Sequence, residues 1–249
     1  STLILIAYVR EKKFVAEMEQ TSKEYGVEDG AEEAAERAEG KSVPLPPAVK
    51  RSMVFLLASI ALWFMGYNAI TTSFSKYCVE RFAMDAGASA LVLMIAQGAA
   101  IVGFFPMAIL AGKIGRRKVI MTGIVMLTIA FGVGAVFSEF TPIMYVLFVL
   151  AGIAWASINV NSYPMVVEMA SGADVGKFTG YYYTASMAAQ IITPILSGNM
   201  LQFMGYQWLF PYGALFVGLS FVTMLFVRHG DAKPVPPKAR LEAFEAMGD

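Results

Sequence analysis

Polarity along this chain comes in blocks. From residue 52 onward it alternates between uncharged apolar runs and short polar turns, with the runs at roughly 52–75, 87–112, 119–138, 141–163, 178–202 and 206–227. Each is about 20 residues or longer, enough for an α-helix rising 1.5 Å per residue to cross about 30 Å of hydrocarbon. The pattern predicts an all-α integral membrane protein with six transmembrane helices over 52–228. Ahead of them, residues 1–9 (STLILIAYV) would span only about 14 Å. They read as the end of a truncated preceding transmembrane helix, so the chain looks like a C-terminal fragment. Residues 10–51 are charged, rich in Ala and Glu, and close on PLPP, which predicts a linker. Residues 229–249, with PVPPKAR, read as a polar, loosely ordered tail.

The six runs differ in a way that repeats every three. The third and sixth carry almost no strongly polar groups, whereas the first, fourth and fifth are rich in Asn, Gln, Tyr, Trp, Ser and Thr. Runs three and six therefore read as peripheral and lipid-facing, with Met126 and Phe221 at or near lipid. Run two ends ILAG (109–112) and run five ends ILSG (195–198). Three spans per unit reverse the direction of the chain, so a 3+3 inverted repeat is expected.

Charge gives this bundle an orientation. Of 19 Lys and Arg, eight lie in 10–51, four in 113–118, one near 168–177 and four from Arg228 onward, leaving only Lys76 and Arg81 for the opposite side. Positive residues accumulate in the cytoplasm, which puts both termini there and predicts a multi-pass protein of the cell membrane. The cluster Lys113, Arg116, Arg117 and Lys118 is then a cytoplasmic turn. Burying it would cost on the order of 10–14 kcal/mol.

Composition narrows the function classes. The chain is 57% hydrophobic and 15% charged with no net charge, and its basic residues form no soluble face for nucleic acid. One cysteine, Cys78, excludes an internal disulfide. One histidine, His229, lies past the last apolar run, so neither a His-rich metal site nor a His-based nucleophilic pair can be assembled. There is no phosphate-cradling G-x-x-x-x-G-K-[ST] loop. No cofactor and no enzymatic activity are expected.

Two motifs carry a family resemblance. Against the pattern G-x-x-x-D-[RK]-x-G-[RK]-[RK], Lys113, Gly115, Arg116 and Arg117 match, while Ala108 replaces the first Gly and Gly112 the Asp. The chain thus resembles the C-terminal six-helix half of the major facilitator superfamily. The stretch Asn161-Ser162-Tyr163-Pro164, followed by Glu168, is similar to the tenth-helix region of the sucrose–proton symporters and their glycoside–cation relatives. The resemblance implies a secondary transporter working by alternating access, completed by an N-terminal half. It also implies cation- or proton-coupled uptake of a sugar or glycoside.

The candidate lining residues follow helical spacing. In run five, Thr179, Tyr183, Ser186, Gln190, Thr193 and Ser197 form one face over five turns, which is either a water-accessible lining or interhelical glue. Run one contributes Asn68, Thr71 and Thr72, with Trp63 and Tyr67 nearby. Run two adds Gln97, and run four Trp155 and Asn159. Amides suit hydroxyl-bearing ligands and aromatic rings suit their C–H faces. Asn68, Asn159 and Gln190 are expected to meet at a central cavity. No ionisable residue lies deep in any run, so a proton- or sodium-carrying carboxylate belongs to the other half.

Glu168, about five residues past run four, reads as a gate. Gly115 before paired arginines suggests a tight bend aiming Arg116 or Arg117 at Glu168 when the cytoplasmic side is closed. A second reading is export of small amphiphilic molecules. A third, a membrane-embedded enzyme or sensor, lacks a catalytic constellation and room for a sensing domain.

Overall fold

The computed structural model describes residues 45–170 and 174–231. The predicted preceding helix at 1–9 and nearly all of the predicted linker lie outside the described residues. Six long helices follow in order: α1 (Pro47–Phe82), α2 (Ala86–Ile114), α3 (Arg116–Gly134), α4 (Ile143–Glu168), α5 (Val175–Met204) and α6 (Leu209–Leu225), the last led in by a 3-10 turn at Tyr206–Trp208. Among the described residues, α1, α2, α3, α4 and α6 with its lead-in are both long and apolar enough to cross a membrane. Helix α5, at 30 residues, has the length but carries the polar stripe.

Several boundaries move from the sequence expectation. Helix α1 begins at Pro47, inside the expected linker, because proline at the first helical position sacrifices no hydrogen bond. Helix α4 runs through Pro164 to Glu168. Membrane helices tolerate an interior proline because neighbouring groups satisfy the freed carbonyl. Glu168 therefore occupies the last turn of α4 and does not trail five residues behind it. Ala83, with φ 49, closes α1, and Asp85 opens α2 by accepting the Gly87 N–H at 2.8 Å.

The packing order repeats the 3+3 logic. Helix α1 lies along α6 and α5, α4 lies along α3 and α2, and α3 meets α6. Exchanging the first three helices for the last three maps this set of pairings onto itself, with the α3–α6 pair unchanged. The burial pattern repeats as well. Val92, Ala96, Ala100, Gly103 and Ala111 of α2 are buried, and so, at one constant offset along the chain, are Phe178, Tyr182, Ser186, Ala189 and Ser197 of α5. The ILAG and ILSG segments present the same face.

Helices α1 and α4 are the best buried. Their neighbours approach so closely that only small residues fit. A Cβ on Gly66 of α1 would lie 2.6 Å from Val217 and 2.7 Å from the Gly213 carbonyl of α6. One on Gly123 of α3 would lie 2.8 Å from the Ala154 carbonyl of α4, and one on Gly152 of α4 would overlap the Ala96 carbonyl of α2. Helices in lipid associate through such contacts, since apolar burial alone gives no preference for protein over lipid tails.

Runs three and six each keep an outward apolar face. Helices α3 and α6 present outward residues such as Val125, Ile129, Leu215 and Val222, but Met126 and Phe221 are only partly exposed and pack on the core. More exposed apolar faces belong to α2, with Val102 at 76%, and to α5, with Ile191 at 67%. Polarity of a run alone did not report burial, because a helix packed on both α4 and α6 covers its apolar face as well as a polar one.

The crossings make a direct prediction. Gly152→Ala forces α2 and α4 apart and destabilises the purified protein by about 1–3 kcal/mol, as overpacking does. Gly132→Ala, where nothing lies within 4 Å, leaves thermal stability unchanged or raised. Thermal unfolding in detergent of the two variants against the parent checks both.

Candidate functional site

Three helices bring polar and aromatic side chains together at mid-bundle. The Tyr67 ring of α1 stacks on the Trp155 indole of α4, with centroids 3.7 Å apart and planes 4° apart, and Phe64 meets the same indole edge-on at 5.2 Å. Gln97 of α2 donates from Nε2 to the Tyr67 hydroxyl at 3.2 Å. One tyrosine thus ties α1, α2 and α4. Trp155 is only 7% exposed, with one face covered by Tyr67, so in this conformation it offers an edge and not an open platform for a sugar ring. Gln97 itself is exposed.

The other α1 candidates spend their donors locally. Asn68 donates to the Phe64 carbonyl at 2.8 Å, Thr71 to Tyr67 at 3.2 Å, and Thr72 to Asn68 at 2.6 Å. In a medium without water these hydroxyl and amide protons take the nearest carbonyl, four residues back. Thr72 is exposed and Asn68 and Thr71 partly so. Asn159 of α4 is partly exposed, while Asn161 is buried with its amide donated to the Ser157 carbonyl at 2.8 Å.

The stripe of α5 divides. Ser186, Thr193 and Ser197 are buried and donate to carbonyls of their own helix. Thr179 meets the Tyr163 hydroxyl at 3.1 Å, a bond between α5 and α4. Only Tyr183 and Gln190 are exposed, and Gln190 donates to the Ser186 carbonyl at 3.3 Å. Four of the six stripe residues are packing and two are available surface, because five turns of one face outlast the width of any single neighbour. Asn68 of α1 and Asn159 of α4, expected to meet Gln190 of α5 at a central cavity, are partly exposed and Gln190 is exposed. A small apolar void sits between α3, α4 and α6, lined by Ala130, Phe131, Met144, Phe148 and Phe210 among others. None of the polar candidates borders it.

Sequence reasoning missed two residues of this region. Tyr182, which lies off the stripe, is buried and shares a hydrogen bond with Ser162 of α4 at 3.2 Å. Tyr67 was noted only as a neighbour. Nothing in sequence spacing distinguishes an aromatic residue that joins helices from one that merely fills space.

At the basic end of the bundle, Gly115 adopts φ +97 between α2 and α3, a conformation costly for any residue with a Cβ. Arg116 forms an ion pair with Glu168 at the end of α4, the two side chains being 28% and 30% exposed. Arg117 turns elsewhere and donates from Nη2 to the Leu225 carbonyl of α6 at 3.1 Å. Asp174 lies 3.9 Å from Lys177. Among the described residues no cluster of His, Cys, Asp and Glu could hold a metal ion.

Comparison with known proteins agrees with this architecture. The family model described as Major Facilitator Superfamily matches residues 56–247. The MFS antiporter QDR3 of Candida albicans is 26% identical over 188 residues, covering 73% of this chain and 26% of that protein. The quinidine resistance protein 3 of Saccharomyces cerevisiae is 29% identical over 166 residues, covering 63% of this chain and 22% of that protein. The chain thus spans about a quarter of the length of these relatives. Among solved structures, the human organic anion transporter MFSD10 superposes with a TM-score of 0.61 at 11% identity, covering 74% of this chain and 49% of that one. The peptide transporter PepTSo gives 0.66 at 14%, covering 78% and 40%. At such identities these structures speak for the fold alone.

The tyrosine–tryptophan stack predicts its own energetics. Trp155→Ala removes a large buried ring and lowers unfolding stability by about 3–5 kcal/mol. Tyr67→Phe keeps the stack and loses one hydrogen bond, costing about 0.5–1.5 kcal/mol. Thermal unfolding and the tryptophan emission spectrum separate the two, since only the first abolishes the contribution of this indole.

Proposed function

This chain belongs to the major facilitator superfamily, and from that premise we propose that it is the C-terminal six-helix half of a secondary transporter that exports small amphiphilic molecules by alternating access. The observation that carries the reading is the set of uncharged side chains at mid-bundle: the Tyr67–Trp155 stack with Gln97 beside it, and Gln190 and Tyr183 open on α5. Aromatic edges and amides without a fixed charge suit ligands with a large apolar body and few polar groups. The antiporter and quinidine-resistance names of two relatives point the same way. An N-terminal half of the same transporter would cover the apolar faces of α2 and α5 and supply the carboxylate that carries a coupling proton or sodium ion. The basic end faces the cytoplasm, as the charge bias requires.

Uptake of a sugar or glycoside is the second reading. The open amides Gln97 and Gln190 favour it, while the covered indole of Trp155 and the internally bonded Asn161 and Ser162 weigh against it. Reconstitution of the whole transporter in liposomes decides. Export predicts efflux of an amphiphilic amine driven by a pH or sodium gradient, with no uptake of sucrose. Gln97→Ala and Gln190→Ala each raise KM about threefold to tenfold, the loss of roughly one hydrogen bond. Gradient-driven sucrose uptake would reverse the assignment.

The Arg116–Glu168 pair is proposed as a latch that holds the basic end closed. At this exposure it contributes only about 0–1 kcal/mol. That still moves a balanced two-state equilibrium up to roughly fivefold. Glu168→Gln and Arg116→Gln should each increase the reactivity of a cysteine placed in the basic-end vestibule, and the double variant should be no more reactive than either single. Additive increases would show that the two do not act as one latch.

A further inference from the structure

Residues 228–231, expected to be part of a loose tail, are packed against the bundle. The Arg228 N–H donates to Ser52 Oγ at 3.2 Å, and the same hydroxyl lies 2.8 Å from His229 Nδ1. Gly230, at φ +80, passes so close to α4 that a Cβ there would lie 2.5 Å from the Met165 carbonyl. Asp231 then reaches α3, accepting the Arg117 N–H through Oδ1 at 3.1 Å. Both its carboxylate oxygens lie 3.0 Å from where a Cβ on Gly115 would be. Four residues thus touch the basic ends of α1, α4 and α3 in turn.

The last of these contacts answers a deficiency in α3. A helix leaves its first N–H groups unsatisfied, and an Asp, Asn, Ser or Thr at the cap position commonly supplies the acceptor. Here the cap position is Gly115, which has no side chain to offer and makes no side-chain cap bond. Its backbone angle demands glycine, so the turn that shapes the loop forbids a local cap. The first turn is Arg116, Arg117 and Lys118, three cations where the helix dipole favours anions. Asp231 brings the missing acceptor and a negative charge from the far end of the chain.

We propose that Asp231 is a positioning residue for the basic-end ion pair: it caps α3 in trans and fixes the turn from which Arg116, rather than Arg117, meets Glu168. The division of labour follows from the contacts. Arg117 is held by its N–H to Asp231 and by its guanidinium to the Leu225 carbonyl, where the end of α6 favours a cation. Arg116, one residue earlier and about 100° around the helix, is thereby directed to α4. Without the cap, the first turn of α3 frays and either arginine can approach Glu168. The inference rests on the latch reading only for its consequence in transport, since the positioning itself is measurable without it.

The test uses the whole transporter with Asp231→Ala, Asp231→Asn, Glu168→Gln and the Asp231→Ala/Glu168→Gln double variant. Hydrogen exchange of the amides at 116–119 should accelerate about fivefold in Asp231→Ala, the size of a lost cap. Asp231→Asn retains a carbonyl acceptor and should restore most of that protection. In thermal unfolding, the double variant should lose clearly less than the two singles combined, because removing the cap already loosens the pair. Additive losses, or unchanged exchange in Asp231→Ala, overturn the proposal. If Glu168→Gln alone leaves vestibule cysteine reactivity unchanged, the latch fails, while the exchange and additivity results still decide the role of Asp231.

Discussion

Everything else in this bundle depends on how closely its helices cross. In hydrocarbon, two apolar helix faces gain little by meeting, because lipid tails solvate them as well as each other. What remains is close van der Waals contact, and that needs backbones to approach where side chains are small. Gly66 against Gly213, Gly123 against Ala154, and Gly152 against Ala96 bring α1 to α6, α3 to α4 and α4 to α2. These approaches put α1 and α4 at the centre of the half and leave α2 and α5 at its open face. At mid-bundle the Tyr67–Trp155 stack and the Gln97–Tyr67 bond add a link from α1 to α4 and α2.

The same low-dielectric setting governs the polar side chains. Ser, Thr and Asn in these helices donate to carbonyls three or four residues back, as Asn68, Thr72, Asn161 and Ser197 do. An unpaired donor in lipid costs several kcal/mol, whereas a local bond is always within reach. A polar residue in a membrane helix is therefore compatible with full burial. Gln97 differs because its longer side chain reaches another helix, and Gln190 because it remains exposed. Their geometry, more than their polarity, sets them apart from the locally bonded residues.

At the basic end the controlling terms are electrostatic. The turn at Gly115 crowds positive charge at a helix start, and the structure disperses it: Arg116 to Glu168, Arg117 to the carbonyl end of α6, and the exposed N–H of the first turn to Asp231. Each contact is modest because water is near. Together they link α3, α4 and α6 at this end of the bundle.

By itself the sequence determined the class of molecule, the existence of six long helices and their 3+3 relation. These follow from run length, the repetition of polarity and the cost of burying charge, all of which are local sums over neighbouring residues. The motif around Gly115 and the carboxylate at Glu168 were legible for the same reason, since a tight turn and a charge each announce themselves in one dimension. Tertiary structure alone decided which arginine meets Glu168, that most of the α5 stripe is packing, and that α2 is more exposed than α3. It also decided that Asp231, more than a hundred residues away in sequence, caps α3. Helical spacing gives the face a residue occupies, but not the neighbour that face meets. Only the packing of α1 and α4 against their partners fixes that.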